Sequence, residues 1–255
     1  MWQRREIKGH ALWQVVAWQD LAWLVHGVTT RGSGNLALHI GDNPKAVIDH
    51  RLDLSQSLGV TLDDWVTGNQ VHQAEIANVT QELRGMGSHQ AQTALAATDG
   101  LLTNQSDLLL ASFYADCVPL LFIERSSQAI ALAHAGWRGT VLNIAAKMVK
   151  KMQQQYNVRA QDIEVGIGPA IGPCCYEVGS EVASQFDPKV VQVNHQNSTL
   201  NLKEANYLKL VEAGVVRENI HCSLLCTSCE SEFFSYRREG LTSGRIAAII
   251  LQRDV

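Results

Sequence analysis

Four apolar runs of strand length constrain the fold most: LLLASFY (108 to 114), VPLLFIE (118 to 124), AIALAHA (129 to 135) and DIEVGIG (162 to 168). A strand with one face in water alternates apolar and polar side chains, so consecutive apolar positions indicate strands covered on both faces. The covering layers are helical. NPKAVIDHRLDLSQSLG opens with Asn43 as N-cap and Pro44 at the first helical position and closes at Gly59, which predicts a helix. Its apolar face runs through Val47, Ile48, Leu54 and Leu58 and takes in Arg51, one turn after Val47. An arginine turned inward asks for an anionic partner. TVLNIAAKMVKKMQQQY, capped by Thr140 and apolar at 141, 144, 145, 148, 149 and 152, predicts a second helix. LKEANYLKLVEAG predicts a third, ended by Gly214, and RIAAIILQR one more buried strand. Strands and helices mix without strict alternation. The expected fold is therefore α+β, a mixed, largely buried β-sheet packed by helices, with a doubly wound α/β arrangement as the alternative.

A chain of 255 residues that is 46% hydrophobic can bury a sizeable core. No linker or low-complexity tract divides it, so residues 1–255 are expected to form one domain, with GMGSHQAQTALAAT (85 to 98) as an exposed loop or short surface helix. No apolar stretch approaches the roughly 18 residues that cross a bilayer, and no export signal is evident, which predicts a cytoplasmic protein without a membrane partner. A formal net charge of -4 gives no positive field for nucleic acid, so small molecules are the expected ligands, with no obligate protein partner evident. In a reducing compartment the six cysteines read as free thiols, metal ligands or a nucleophile rather than disulfides.

His72 follows Asn-Gln-Val, Cys117 follows Tyr-Ala-Asp between two apolar runs, and His134 ends a strand before Gly-Trp-Arg-Gly. All three sit at element edges, where a rigid scaffold presents reactive groups. Two imidazoles and a thiolate suit zinc, and also copper, with a fourth position left for water or substrate. The separations match no short metal motif, so three readings stay open: a metal site, a buried cysteine with two backbone-bonded histidines, and a nucleophilic Cys117 with His134 or His72 as base. Asp116 can orient either reactive arrangement or bind backbone in its turn.

Cys222, Cys226 and Cys229 make a C-x3-C-x2-C spacing, but a zinc site there needs two ligands besides Cys226 and Cys229, and Cys222 supplies at most one; packing is the default reading. GIGPAIGPCCYEVG lacks the helix of a dinucleotide fingerprint and reads as a turn-rich wall. Arg31, Arg51, Arg138, Arg237, Arg238 and Arg245 lie in segments that can converge on a phosphate or carboxylate, and Phe113, Trp137, Tyr176 and Tyr236 can stack on a flat base, although individually such arginines are more often surface or salt-bridged and such aromatics usually core.

Read together, GNLALHIGDNP, NQVH, TDGLLT, ADCVPLLF, AHAGWRGT, GPAIGPCCYEVG and FFSYRREGLTSGR resemble the successive motifs of the YfiH-like family, also called laccase-domain, polyphenol oxidase-like and peptidoglycan-editing factor. The resemblance spans about His26 to Arg245. It implies a fold similar to the cytotoxic necrotizing factor deamidases and a metal site, usually zinc, formed by His72, Cys117 and His134. It also implies phosphorolysis of adenosine, inosine and S-methyl-5'-thioadenosine, with adenosine deamination, and purine nucleosides and phosphate as ligands. Arg51 is then the first choice for holding phosphate, with Arg138 and Asp116 as further substrate contacts. The chain departs from the family at three places: His50 before Arg51 in place of asparagine, Gln73 in place of glycine, and Leu200-Asn201-Leu202 in place of Leu-Asp-Leu. Editing of peptidoglycan precursors and a cysteine-nucleophile amidase are the alternatives, the latter because the related deamidases keep a Cys-His pair. A polyphenol oxidase needs more copper ligands than two histidines and a cysteine, and a metal-binding protein without activity would leave the arginines incidental.

Overall fold

The computed structural model describes residues 1–194 and 197–254. The chain starts with strands β1 (Trp2–Ile7), β2 (His10–Val15) and β3 (Leu24–Thr29), then helix α1 (Pro44–Leu58). Strands β4 (Trp65–Thr67), β5 (Ile76–Asn78), β6 (Gly100–Thr103), β7 (Leu109–Tyr114), β8 (Val118–Glu124) and β9 (Ala129–Ala135) follow. Helices α2 (Trp137–Val141) and α3 (Ile144–Tyr156) lead to β10 (Ile163–Ile167), β11 (Glu177–Val178), helix α4 (Ser180–Ala183), β12 (Val191–Asn194) and β13 (Asn197–Leu200). The rest comprises helix α5 (Leu202–Glu212), β14 (Ile220–Cys222), helix α6 (Tyr236–Glu239) and β15 (Ile246–Gln252).

The fold is α+β, as the mix of elements predicts, but the buried strands divide between two large sheets instead of one. One has the order β1-β2-β3-β15-β7-β4, the other β14-β10-β8-β9-β6-β5, and β11, β13 and β12 form a small third sheet. Both large sheets are mixed: β4 runs parallel to β7, β5 to β6 and β10 to β14, and the other pairings are antiparallel.

Side-chain parity explains the uninterrupted apolar runs. Along β7 and β15, Leu110, Tyr114, Ile246, Ala248 and Ile250 face inward and meet Leu121, Ile123, Ile130 and Leu132 of β8 and β9 in a core between the two sheets. The alternate residues Leu109, Ala111, Phe113, Ala247, Ile249 and Leu251 face out and are covered by Leu54 and Leu58 of α1. On the other side, Leu120, Phe122, Ala131 and Ala133 are covered by Met148, Val149 and Met152 of α3 and by Ala205 and Leu210 of α5. The result is a helix-sheet-sheet-helix stack in which both faces of each central strand lose contact with water, worth about 25 cal/mol per Å² of apolar surface.

Helix α1 forms as its caps predict. The Asn43 side chain accepts the Lys45 amide at 3.0 Å, and Gly59 adopts a left-handed φ of 71°. Helix α5 likewise begins at Asn201, whose side chain accepts the Glu204 amide, so asparagine serves as the cap where the resemblance leads one to expect aspartate. The second expected helix is broken. Asn143 takes a left-handed φ of 61° and separates α2 from α3, leaving Leu142 39% exposed. Thr140 is not a cap. It lies inside α2, its hydroxyl donates to the Gly136 carbonyl, and it accepts the Asn206 amide of α5. Residues 85–98 are not simply an exposed loop either, because Ser88 is fully buried and Gly87 and Ser88 turn their carbonyls onto Arg51.

Candidate active site

The two large sheets are joined through Ala115–Cys117, where the chain leaves β7 in one sheet and enters β8 in the other. Beside this crossover lies a pocket of about 610 Å³ lined by His39, Ile40, Gln70, His72, Phe113, Ala115, Asp116, Cys117, His134, Trp137, Arg138, Ile171, Tyr176, Tyr236, Arg237 and Arg245. Of the residues singled out from sequence, His72, Cys117, His134, Asp116 and Arg138 line it, and Arg51 does not.

His72, Cys117 and His134 converge from three segments, with one ligand atom each within 4.8 Å of one another. His134 ends β9, Cys117 precedes β8, and His72 stands in the loop after β4 with a left-handed φ of 61°. Asp99 organises two of the three. One carboxylate oxygen accepts the His72 amide at 3.0 Å and faces His134 Nδ1 at 2.8 Å; the other accepts the Val71 and Gln73 amides at 3.2 and 2.8 Å. With Nδ1 engaged, His134 turns Nε2 to the site. Gln70 anchors the same loop through a two-way bond with the Phe113 backbone at the end of β7.

Burial disfavours the Cys117 thiolate, yet the nearby His134 and His72 outweigh it and draw the thiol below its ordinary range. Burial also disfavours the charged form of His134, and Cys117 and Asp99 reverse this to raise it. The donor chemistry therefore fits one tetrahedral ion with an open fourth position: a readily ionised sulfur and two imidazoles, one of them fixed in its tautomer by a buried carboxylate.

Gly136 leaves the space this arrangement occupies. A Cβ there would stand 3.1 Å from both Cys117 Sγ and His72 Cδ2. Asp116 supports the crossover from behind. Its φ is 87°, and its carboxylate accepts the Thr227 hydroxyl at 2.7 Å, the Ser235 hydroxyl at 3.0 Å and the Arg237 amide at 2.7 Å. These bonds hold a backbone conformation that non-glycine residues rarely adopt.

Arg51 corrects the expectation of an anionic partner. It is 1% exposed and donates to the Leu36, Gly87 and Ser88 carbonyls at 2.8, 2.8 and 2.6 Å, with its guanidinium over the Phe113 ring. Burial lowers its pKa to about 9, so it stays charged at neutral pH. The His50 side chain that replaces asparagine bonds the Asn35 carbonyl. Of the other arginines, Arg237 spends its guanidinium on the Cys175 and Glu177 carbonyls, Arg245 bonds the Ser243 and Gly244 carbonyls, and Arg31 pairs with Glu239 away from the pocket. Arg138 stacks 4.3 Å over Trp137 at the exposed start of α2.

Asp99 and His39 are the two residues that reading the sequence for reactive groups misses. Asp99 lies in TDGLLT and His39 in GNLALHIGDNP, but a lone carboxylate or imidazole carries no mark of its neighbours. His39 is lowered to about 4 by desolvation and then by the charges of Arg245 and Arg51, so it is neutral at physiological pH.

Comparison with known proteins agrees along most of the chain. Residues 26–253 match the family described as multi-copper polyphenol oxidoreductase laccase. The purine nucleoside phosphorylase YlmD of Geobacillus stearothermophilus is 41% identical over 91% of this chain and 92% of its own length. The adenosine deaminase RL5 of an unknown prokaryotic organism is 36% identical over 89% and 94%. The crystal structure of the Bacillus licheniformis hypothetical protein YfiH superposes with a TM-score of 0.93 at 35% identity, covering 98% of this chain and 99% of that one. With the family description matched over residues 26–253 and the fold over 98% of its length, the chain belongs to this YfiH-like family of multi-copper polyphenol oxidoreductase laccase proteins.

Proposed function

We propose that this chain is a zinc-dependent purine nucleoside enzyme. It splits adenosine, inosine or S-methyl-5'-thioadenosine with phosphate into free base and the (methylthio)ribose 1-phosphate, and deaminates adenosine with water to inosine and ammonia. The observation that carries this reading is the convergence of His72, Cys117 and His134 in a pocket that also presents Trp137, Tyr176 and Tyr236. Relatives named purine nucleoside phosphorylase and adenosine deaminase support both activities.

His72, Cys117 and His134 would hold the metal, which when bound supplies Lewis acidity and water activation near neutral pH. The aromatic side chains offer flat faces for a purine. Neutral His39 can accept or donate a hydrogen bond at a base edge. Arg138, on an exposed helix start, can meet phosphate as it approaches the anomeric carbon, while buried Arg51 adds positive charge from behind Phe113. Phosphorolysis forms the carbon-oxygen bond to phosphate as the glycosidic carbon-nitrogen bond breaks, and the departing base takes a proton. A reducing, cytoplasmic setting would keep the six cysteines as thiols.

A second reading rests on one geometric fact: Asp99, His134 and Cys117 also make the carboxylate-imidazole-thiol order of a cysteine nucleophile. That reading fits an amidase or the editing of peptidoglycan precursors. Purified protein is incubated with adenosine, with and without phosphate, beside a Cys117→Ala variant, and base, inosine and bound metal are measured. Turnover lost together with metal supports the metal enzyme. Absence of both base and inosine sinks it, and Cys117-dependent turnover without metal favours the covalent route.

A further inference from the structure

On the pocket's outer wall, four more cysteines come together from two segments about fifty residues apart. Cys174 and Cys175 lie in the turn after β10, and Cys226 and Cys229 in the turn after β14; their sulfurs all stand within 4.8 Å of one another. Cys222, the third member of the linear spacing, is not among them and directs its thiol to the Ser223 carbonyl. The missing ligands therefore come from the adjacent pair in GIGPAIGPCCYEVG.

We propose that Cys174, Cys175, Cys226 and Cys229 bind one zinc ion as a closed structural site, separate from the pocket. Four sulfurs placed 2.3 Å from one centre sit about 3.8 Å apart. Cys229 Sγ lies 3.6 Å from Cys174 Sγ and 3.4 Å from Cys175 Sγ, close to that edge length. A multi-iron cluster would spread its thiolates further, because they are shared between two or more irons.

The surroundings suit thiolates. The Gly172 amide donates to Cys226 Sγ at 3.2 Å, and the Ser228 and Cys229 amides also turn toward that sulfur. A Cβ on Gly172 would meet Cys174 Sγ at 3.2 Å and Cys226 Cβ at 3.3 Å, so the close approach of this backbone to the sulfurs depends on glycine. Lys203, only 6% exposed, is held by the Ser223 and Leu225 carbonyls at 2.8 and 2.7 Å and forms no ion pair among the described residues. Four thiolates around a divalent ion leave two negative charges, one of which this buried cation, close enough to feel Cys226 and Cys174, would offset. Binding releases the thiol protons to solvent.

The site would clamp two pocket walls. Ala170 and Cys226 already form a backbone bridge, Ile171 and Tyr176 line the pocket, and Thr227 bonds Asp116. The ion would join these contacts and close a loop of about fifty residues.

The test uses full-length Cys117→Ala/His134→Ala protein, in which the pocket ligands are gone and the four cysteines intact. After zinc loading and removal of excess, metal content is measured by plasma mass spectrometry and the ligands by X-ray absorption at the zinc edge. The expected result is about one zinc per chain in a sulfur-only shell near 2.3 Å, and loss of that equivalent in a further Cys229→Ser variant. No retained zinc, zinc bound through nitrogen, or a disulfide among the four cysteines overturns the proposal. None of these readouts depends on nucleoside turnover, so failure of the proposed activity would be seen separately.

Discussion

Replacing Asp99 by asparagine keeps side-chain size but turns one of two acceptor oxygens into a donor. In the native protein one oxygen serves the His72 amide and His134 Nδ1, and the other the Val71 and Gln73 amides. If the NH2 group faces Val71 and Gln73 it meets two donors and two of the four bonds are lost; if it faces His72 and His134, the His72 bond is lost and the His134 bond survives only with Nδ1 as acceptor. Bonds to a charged acceptor are worth about 1.5–3 kcal/mol each, which sets the loss at about 1.5–6 kcal/mol of a total stability of roughly 5–15 kcal/mol. At about 2–4 °C per kcal/mol, the midpoint falls by roughly 10 °C. If the NH2 group faces His134, Nδ1 must become an acceptor and Nε2 takes the proton, which blocks it as a ligand. Metal affinity should then fall about 10–100-fold, the usual effect of removing a carboxylate behind a ligating histidine. Calorimetry and zinc competition against a chromophoric chelator read the two effects. An Asp99→Asn protein with unchanged midpoint and unchanged zinc affinity would refute the assignment of Asp99 as organiser of the site.

Gly136→Ala brings a methyl group 3.1 Å from Cys117 Sγ and His72 Cδ2, so bound metal and turnover should both drop while overpacking destabilises the fold by only about 1–3 kcal/mol; metal analysis beside thermal melting separates these. His26 is 2% exposed and lowered to about 4, chiefly by burial, against an unfolded value near 6.5. Its contribution is fully present above pH 6.5 and lost as pH falls toward 4, about 3 kcal/mol in all, and urea titrations across that window should show a shallower decline in His26→Gln. Arg51→Lys keeps the charge and can still serve Gly87 and Ser88, which share one guanidinium nitrogen, but it leaves the Leu36 carbonyl bonded by Nε without its donor, for an expected loss of about 1.5–3 kcal/mol. Wild-type stability combined with abolished phosphorolysis would instead show that this arginine reaches the substrate.

Much of the layering can be read from the chain, because burial on both faces leaves its imprint on every residue of β7, β8, β9 and β15. Whether those strands make one sheet or two is a matter of pairing between distant segments, which local composition does not encode. Helix α1 was legible in its caps, whereas the break at Asn143 was not, since the apolar positions of α3 continue the same periodicity across it. The candidate ligands His72, Cys117 and His134 stand out by type and by motif, yet their convergence depends on three distant segments and on Asp99, which carries no local mark of its partners. Arg51 shows the opposite error: its inward position is legible, but its partners are backbone, because buried carbonyls of a folded loop can take the guanidinium's hydrogen bonds without offsetting its charge.

Strand β15 lies at the centre of its sheet, with Ala248 opposite Val28 of β3 on one side and Ser112 of β7 on the other. Until residues 246–252 leave the ribosome, β3 and β7 cannot be bridged, and each presents an unpaired edge with apolar side chains on both faces. The nascent chain should therefore stay open to chaperones or misassembly until β15 has emerged, and its insertion between β3 and β7 should complete that sheet in one step.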